Sequence, residues 1–166
     1  ARVLSDSVPH MIVTDIDANA VDHNYKQVLK NKETNMLPFV CDVLQPSPGI
    51  GFNNTERSSL LERLKAYAPD VTMALALIHH ITLSGNVPFE KSAGFFGSFS
   101  NHLIIEFPTR KDSWVESLLV RKREFINHFD FYNVEEFEKA YGKFFKLHKK
   151  QTVEGAERIL YHYRKL

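Results

Sequence analysis

"MIVTDIDANAV", Met11 to Val21, is a short apolar run that ends in two carboxylates, Asp15 and Asp17, and then turns helix-like. Met11 to Thr14 reads as a continuous strand of the kind covered on both faces. Beyond it, Val21, Tyr25, Val28 and Leu29 recur at helical spacing, so the period changes within a few residues. This is a β-α step, and the two carboxylates sit at its hinge.

The same pattern continues outward. "MLPFVCDV" is the next strand, followed by "LQPSPGIGFNN", whose prolines and glycines forbid regular structure. Leu60, Leu61, Leu64 and Ala68 mark a helix that Pro69 stops. "DVTMALALI" reads as a third buried strand whose second half is equally compatible with a helix. "FEKSAGFFGSF" places Phe89, Ala93 and Phe96 on one helical face, and "HLIIEF" is a fourth strand closed by Pro108. Asn133 with Glu136 three residues on forms a capping box for a helix burying Phe137, Ala140 and Tyr141. Two strand-like runs, "KFFKLHKK" and "RILYHYRK", joined by "QTVEGAE", make a terminal hairpin. Phe95, Phe96 and Phe99 read as core.

Strands alternating with helices imply an α/β protein with a mostly parallel sheet, the hairpin adding an antiparallel edge. The chain has 166 residues, 43% hydrophobic and 25% charged, and carries no repeat or linker, so a single domain over residues 1–166 is expected. Its formal net charge is +1, which gives no whole-molecule argument for nucleic acid or an anionic membrane as partner. Cys41 is the single cysteine, which excludes an intrachain disulfide and fits a reducing, cytoplasmic setting. No apolar run approaches the roughly 18 residues of a membrane span.

In open α/β sheets ligands lie at the carboxyl ends of the strands, which singles out Asp15, Asp17, Asp42, "ALIHHI" and Glu106. An ionised Asp15 has two acceptor oxygens for a pair of ribose hydroxyls, with local turn chemistry as the alternative. Asp17, one residue before the helix, reads as its N-cap. Asp42 stands at the neighbouring strand end, where it can face an adenine amine while Val43 or Leu44 packs on the ring. The alternative is an Asp bonding its own loop. His79 and His80 point about 100° apart on a helix and have no cysteine or close carboxylate to complete a zinc set, so no metal is expected. Either has an intrinsic pKa suited to a general base, while a structural imidazole is the blander reading. Glu106, between Ile105 and Phe107, is a candidate for a carboxyl raised by burial or for a structural, hydrogen-bonded Glu. The lysines of "KFFKLHKK" read as edge protection in preference to phosphate ligands.

Together "IVTDIDANAV", "LPFVCDV", "DVTMALALIHHI", "LIIEFP" and the terminal hairpin resemble the class I S-adenosylmethionine-dependent methyltransferases, in particular a little-characterised bacterial group labelled nodulation-related. The similarity runs through essentially the whole chain. The resemblance implies a Rossmann-like sheet and S-adenosyl-L-methionine as cofactor. It implies cofactor contacts from Asp15 and Ile16 at the ribose, from Asp42 and Val43 at the adenine, and from Leu75 and Leu77 on the methionine side. His79, His80 and Glu106 become the catalytic candidates, and Glu106 with "PTRKD" falls in the acceptor region.

One departure is large. The family's first strand and glycine-rich loop precede the strand matching "MIVTD", yet only ten residues lie upstream of Met11 here and none is glycine. Gly49 and Gly51 follow the wrong strand to replace it. A central strand left out would forgo on the order of 10 kcal/mol of apolar burial. The expectation is therefore that the chain belongs to a longer polypeptide, or that another segment or a partner chain completes the sheet. Methyl transfer is the leading function; a non-catalytic scaffold or partner subunit and a nicotinamide-dependent oxidoreductase are the alternatives.

Overall fold

The computed structural model describes residues 2–166. They form two compact units, one ending at Ser59 and the other running Leu60–Leu166.

In the first unit β1 (Met11–Asp15) and β2 (Met36–Val40) pair in parallel, Met11 opposite Met36 and Asp15 opposite Val40. Parallel neighbours need a crossover, and α2 (Ala18–Asn31) supplies it, after a short N-terminal helix α1 (Arg2–Ser5). Asp17 starts α2 as expected, its carboxylate accepting from the Asn19 N–H at 2.8 Å. The helix ends on Lys32, whose φ of 55° lies in the left-handed region, and the N–H groups of Lys32 and Glu33 close on the carbonyls of Leu29 and Val28. Arg2 ties α1 to the far end of α2 through Glu33, at 2.9 and 3.1 Å.

Val28 and Met36 are buried, but β1 is not covered on both faces: Ile12 is 37% exposed, and Tyr25, Leu29, Leu37 and Val40 are also exposed. The reason is geometric. A single helix on a two-stranded sheet covers one face, and residues alternate between faces along a strand.

The second unit is built on four strands in the order β3-β4-β6-β5. β3 (Val71–Ala74) runs parallel to β4 (His102–Pro108), which pairs antiparallel with β6 (Arg158–Lys165), itself antiparallel to β5 (Phe145–Thr152). α3 (Leu60–Tyr67) leads into β3 and stops where Ala68 turns left-handed ahead of Pro69. The ambiguous "DVTMALALI" divides in two, strand to Ala74 and helical backbone from Ile78, continuing into a π-helical turn over His80–Ser84.

One face of this sheet carries the core. Leu103, Ile105 and Phe107 from β4 and Tyr161 and Tyr163 from β6 alternate inward. They meet Phe89 and Phe96 of α4 (Phe89–Gly97) and Phe137 and Tyr141 of α6 (Val134–Tyr141). Phe137 lies at the centre, with ring centroids 4.3 Å from Tyr141, 4.7 Å from Phe107, 5.1 Å from Tyr161 and 5.4 Å from Phe89. Buried tyrosine hydroxyls usually find partners, and of the four buried tyrosines only Tyr163 leaves its hydroxyl without one among the described residues. Tyr132 donates to the Pro108 carbonyl at 2.9 Å, Tyr141 shares a bond with Ser92 at 3.0 Å, and Tyr161 reaches Glu138 at 2.8 Å. The Asn133 side chain caps α6 by accepting from Glu136 N–H, and Asp112 caps α5 (Ser113–Arg121) by accepting from Trp114 N–H.

Among the described residues β1 pairs only with β2 and β3 only with β4. Among the described residues no helix is long and apolar enough to cross a membrane.

Candidate functional site

The parallel pairing of β1 and β2 brings their carboxyl ends to one rim of the first unit, with Asp15 as the last residue of β1 and Asp42 two residues beyond β2. Cys41 N–H donates to the Asp15 carbonyl at 2.9 Å, which extends the pairing by one residue and holds the start of the β2 loop beside Asp15. Both carboxylates turn one oxygen back on the chain: Asp15 accepts from Asp17 N–H and Asp42 from Leu44 N–H, each at 2.9 Å. The second oxygen of each has no protein donor among the described residues. Ile16, 65% exposed, and half-buried Val43 set apolar surface next to these acceptors.

Acceptor oxygens beside exposed apolar groups are suited chemically to a ligand that carries hydroxyl groups and a flat ring. Burial, followed by the charge of Asp42, pushes the Cys41 thiol upward.

In the second unit the strand ends carry a different set. β3 ends at buried Ala74; Leu75 is 51% exposed, and Ala76 adopts a left-handed conformation with φ of 49°. Its N–H donates to Glu106 of β4 at 2.6 Å. Glu106 in turn faces Arg158 of β6, whose Nη1 lies 3.4 Å from both carboxylate oxygens, and Arg158 Nε donates to Asp112 at 2.7 Å. Arg158 and its hydrogen bond to Asp112 hold that carboxyl below its ordinary range against the opposing effect of burial. Sequence reasoning placed Asp112, the last residue of "PTRKD", in the region of Glu106 and missed Arg158. The arginine stands 52 residues from Glu106, and nothing in a local pattern joins them.

The two histidines part company. His79 is 2% exposed and its Nδ1 has no partner, whereas His80 is exposed on the π-helical turn. Burial, with His80 beside it at 4.1 Å between ring centroids, pushes His79 down to about 4, so it is neutral at ordinary pH. Among the described residues no group of three or more His, Cys, Asp or Glu side chains is arranged to hold a metal ion.

No family model matches the chain. Among curated proteins it is 28% identical over 158 residues to the nodulation protein NoeA of Rhizobium meliloti (strain 1021), covering 95% of this chain. The chain spans about a third of that relative's length (32%). Among solved structures it aligns with magnesium protoporphyrin IX methyltransferase (ChlM) from Synechocystis PCC 6803, solved with bound SAH, with a TM-score of 0.56 at 15% identity over 98% of this chain and 67% of that one. It has the class I methyltransferase fold.

Two further structures share that fold. WbdD, described as a bifunctional kinase-methyltransferase, aligns with a TM-score of 0.64 at 9% identity, over 98% of this chain and 32% of its own. The PH0226 protein from Pyrococcus horikoshii OT3 aligns at 0.58 with 14% identity, over 99% and 76%. Identities this low establish the methyltransferase fold and leave activity to the residues.

Proposed function

We propose that the chain serves methyl transfer from S-adenosylmethionine to a nucleophilic acceptor. The observation that carries this reading is the pair of carboxylates, Asp15 and Asp42, at the carboxyl ends of adjacent parallel strands in a class I methyltransferase fold. When bound, S-adenosylmethionine would supply an activated methyl on a sulfonium, the acceptor's lone pair forming the new bond to carbon in line as the carbon–sulfur bond breaks and its electrons return to sulfur. Asp15 would accept from the ribose hydroxyls. Asp42 would accept from the exocyclic amine, with Ile16 and Val43 offering apolar surface to the base. In the second unit Leu75 and Leu77, just beyond β3, would offer apolar surface to a methionine side chain. Displacement of this kind asks mainly for alignment. A base is needed only where the acceptor's proton is poorly acidic, and exposed His80 is the residue able to take that proton into solvent. His79, buried and neutral, supports the turn from below.

Isothermal titration with S-adenosylhomocysteine tests the reading, using the chain as given and extended by whatever natural residues its gene places upstream. Binding is expected, weakened about 5- to 150-fold by Asp15→Ala, the equivalent of roughly 1 to 3 kcal/mol for charge-assisted hydrogen bonds. No heat in any form of the chain would leave the scaffold reading, and quenching or enhancement of NADH fluorescence on binding would move the protein to the oxidoreductases.

A further inference from the structure

Among the described residues six non-glycine residues have positive φ: Lys32, Asn53, Asn54, Ala68, Ala76 and Asn86. Three are asparagines, which tolerate that region. Lys32 and Ala68 end helices, and their N–H groups close on carbonyls of the helix they terminate. Ala76 is different. It has no polar side chain and ends no helix, and its N–H is taken by a carboxylate from another strand, Glu106, at 2.6 Å. An alanine at φ of 49° persists only where its surroundings over-determine it.

Those surroundings form a continuous relay. Glu106 projects from β4, and Arg158 from β6 faces both of its oxygens. Asp112 accepts from Arg158 Nε with one oxygen and from Trp114 N–H at the head of α5 with the other. Glu106 and Arg158 lie on paired strands, so sheet registry fixes their approach. The side chains of Glu106, Arg158 and Asp112 are mostly shielded from solvent, where ion pairing is less screened. The loop at the far end of the relay is where β3 gives way to the His79–Ser84 turn. Between them the left-handed residue directs Leu75 outward to solvent while Ile78 enters the core.

We infer that Glu106 is a positioning residue: its carboxylate, set by Arg158 and Asp112, latches Ala76 in a left-handed turn and so fixes the directions of Leu75 and Leu77. The latch itself stands on the contacts above; its bearing on cofactor binding rests on the methyl-transfer reading. Glu106 on this view exchanges no proton with substrate. It shapes the backbone that would hold the donor.

The test is a double-substitution cycle on the full chain, comparing the unsubstituted protein with Glu106→Ala, Ala76→Gly and the double variant. Glu106→Gln serves as the conservative control, since its amide oxygen still accepts from Ala76 N–H. Amide exchange at residue 76, corrected for intrinsic rate, reads the latch without any ligand, and titration with S-adenosylhomocysteine reads its consequence. Glu106→Ala is expected to accelerate exchange at Ala76 at least tenfold, and Glu106→Gln less than threefold. In the unsubstituted background Glu106→Ala should weaken S-adenosylhomocysteine about tenfold. In the Ala76→Gly background the same change should cost less than threefold, because glycine enters the left-handed region without help. A side chain that merely stabilises the fold would show equal losses in both backgrounds. Equal losses, or unchanged exchange at Ala76 in folded Glu106→Ala, overturns the proposal. Faster exchange at Ala76 together with no ligand binding by the unsubstituted chain sustains the latch and removes the methyl-transfer reading instead.

Discussion

Lowering the pH from 7 to 5 should destabilise the second unit by about 2 kcal/mol through one side chain, His79. Its imidazole is pushed from 6.5 down to about 4, first by burial and then by His80. Because the folded value lies below that of the unfolded chain, the unfolded state binds the proton first. Stability is complete above about pH 6.5, falls as the pH drops toward 4, and levels off with roughly 3 kcal/mol lost. His162 is also depressed, by burial and by His148 and His102, so the total loss is larger than this single contribution. His79→Met isolates it, since methionine is apolar, of similar bulk and adaptable in an irregular core. It also deletes the unpartnered Nδ1, a group whose burial costs about 1–3 kcal/mol, so the variant should be at least as stable as the parent at pH 7. Urea unfolding of both proteins at pH 7 and pH 5, followed by tyrosine fluorescence, gives the comparison. If the two lose the same stability between these pH values, to within about 0.5 kcal/mol, the reasoning is wrong.

Other expectations concern packing and helix ends. Phe137→Ala should cost about 3–5 kcal/mol in urea unfolding, since it empties the space between Phe89, Phe107, Tyr141 and Tyr161. Asn133→Ala removes the acceptor for Glu136 N–H and should lower stability by about 1 kcal/mol in the same assay. Lys32→Gly should stabilise the first unit by up to about 1 kcal/mol, read as a raised thermal midpoint, because the left-handed φ of 55° is free of side-chain strain only for glycine. A lowered midpoint would show that the lysine side chain makes a compensating contact.

Much of the architecture was legible in the sequence because it depends on short-range rules. The Asp17 cap, the stop at Pro69, the inward face of α4 and the terminal hairpin all follow from residue type and spacing, and all are present. Of the capping box at Asn133 only the half in which Asn133 accepts from Glu136 N–H forms, since Asn133 N–H donates to the Phe131 carbonyl. The burial of β1 was misread. A continuous apolar run reports that a strand can be covered twice, whereas cover depends on which elements are there to supply it. At the candidate site, Asp15 and Asp42 were legible from their place at strand ends, and so was the alternative that each bonds its own loop. The structure shows the second: the turn engages one oxygen of each carboxylate. Adjacent His79 and His80 looked equivalent in the sequence. Only the direction of the backbone after Ala76 sends one into the core and leaves the other in solvent.

By itself the sequence determined the alternation of strands and helices, the ends of most elements and the positions of the acidic strand termini, because periodicity, capping and proline act within a few residues. The tertiary structure decided what Glu106 does. Its partners, Ala76, Asp112 and Arg158, are brought to it by strand pairing and by the folding back of β6 onto β4. A carboxylate's role is set by the donors and charges within a few ångströms, and that distance is not written along the chain.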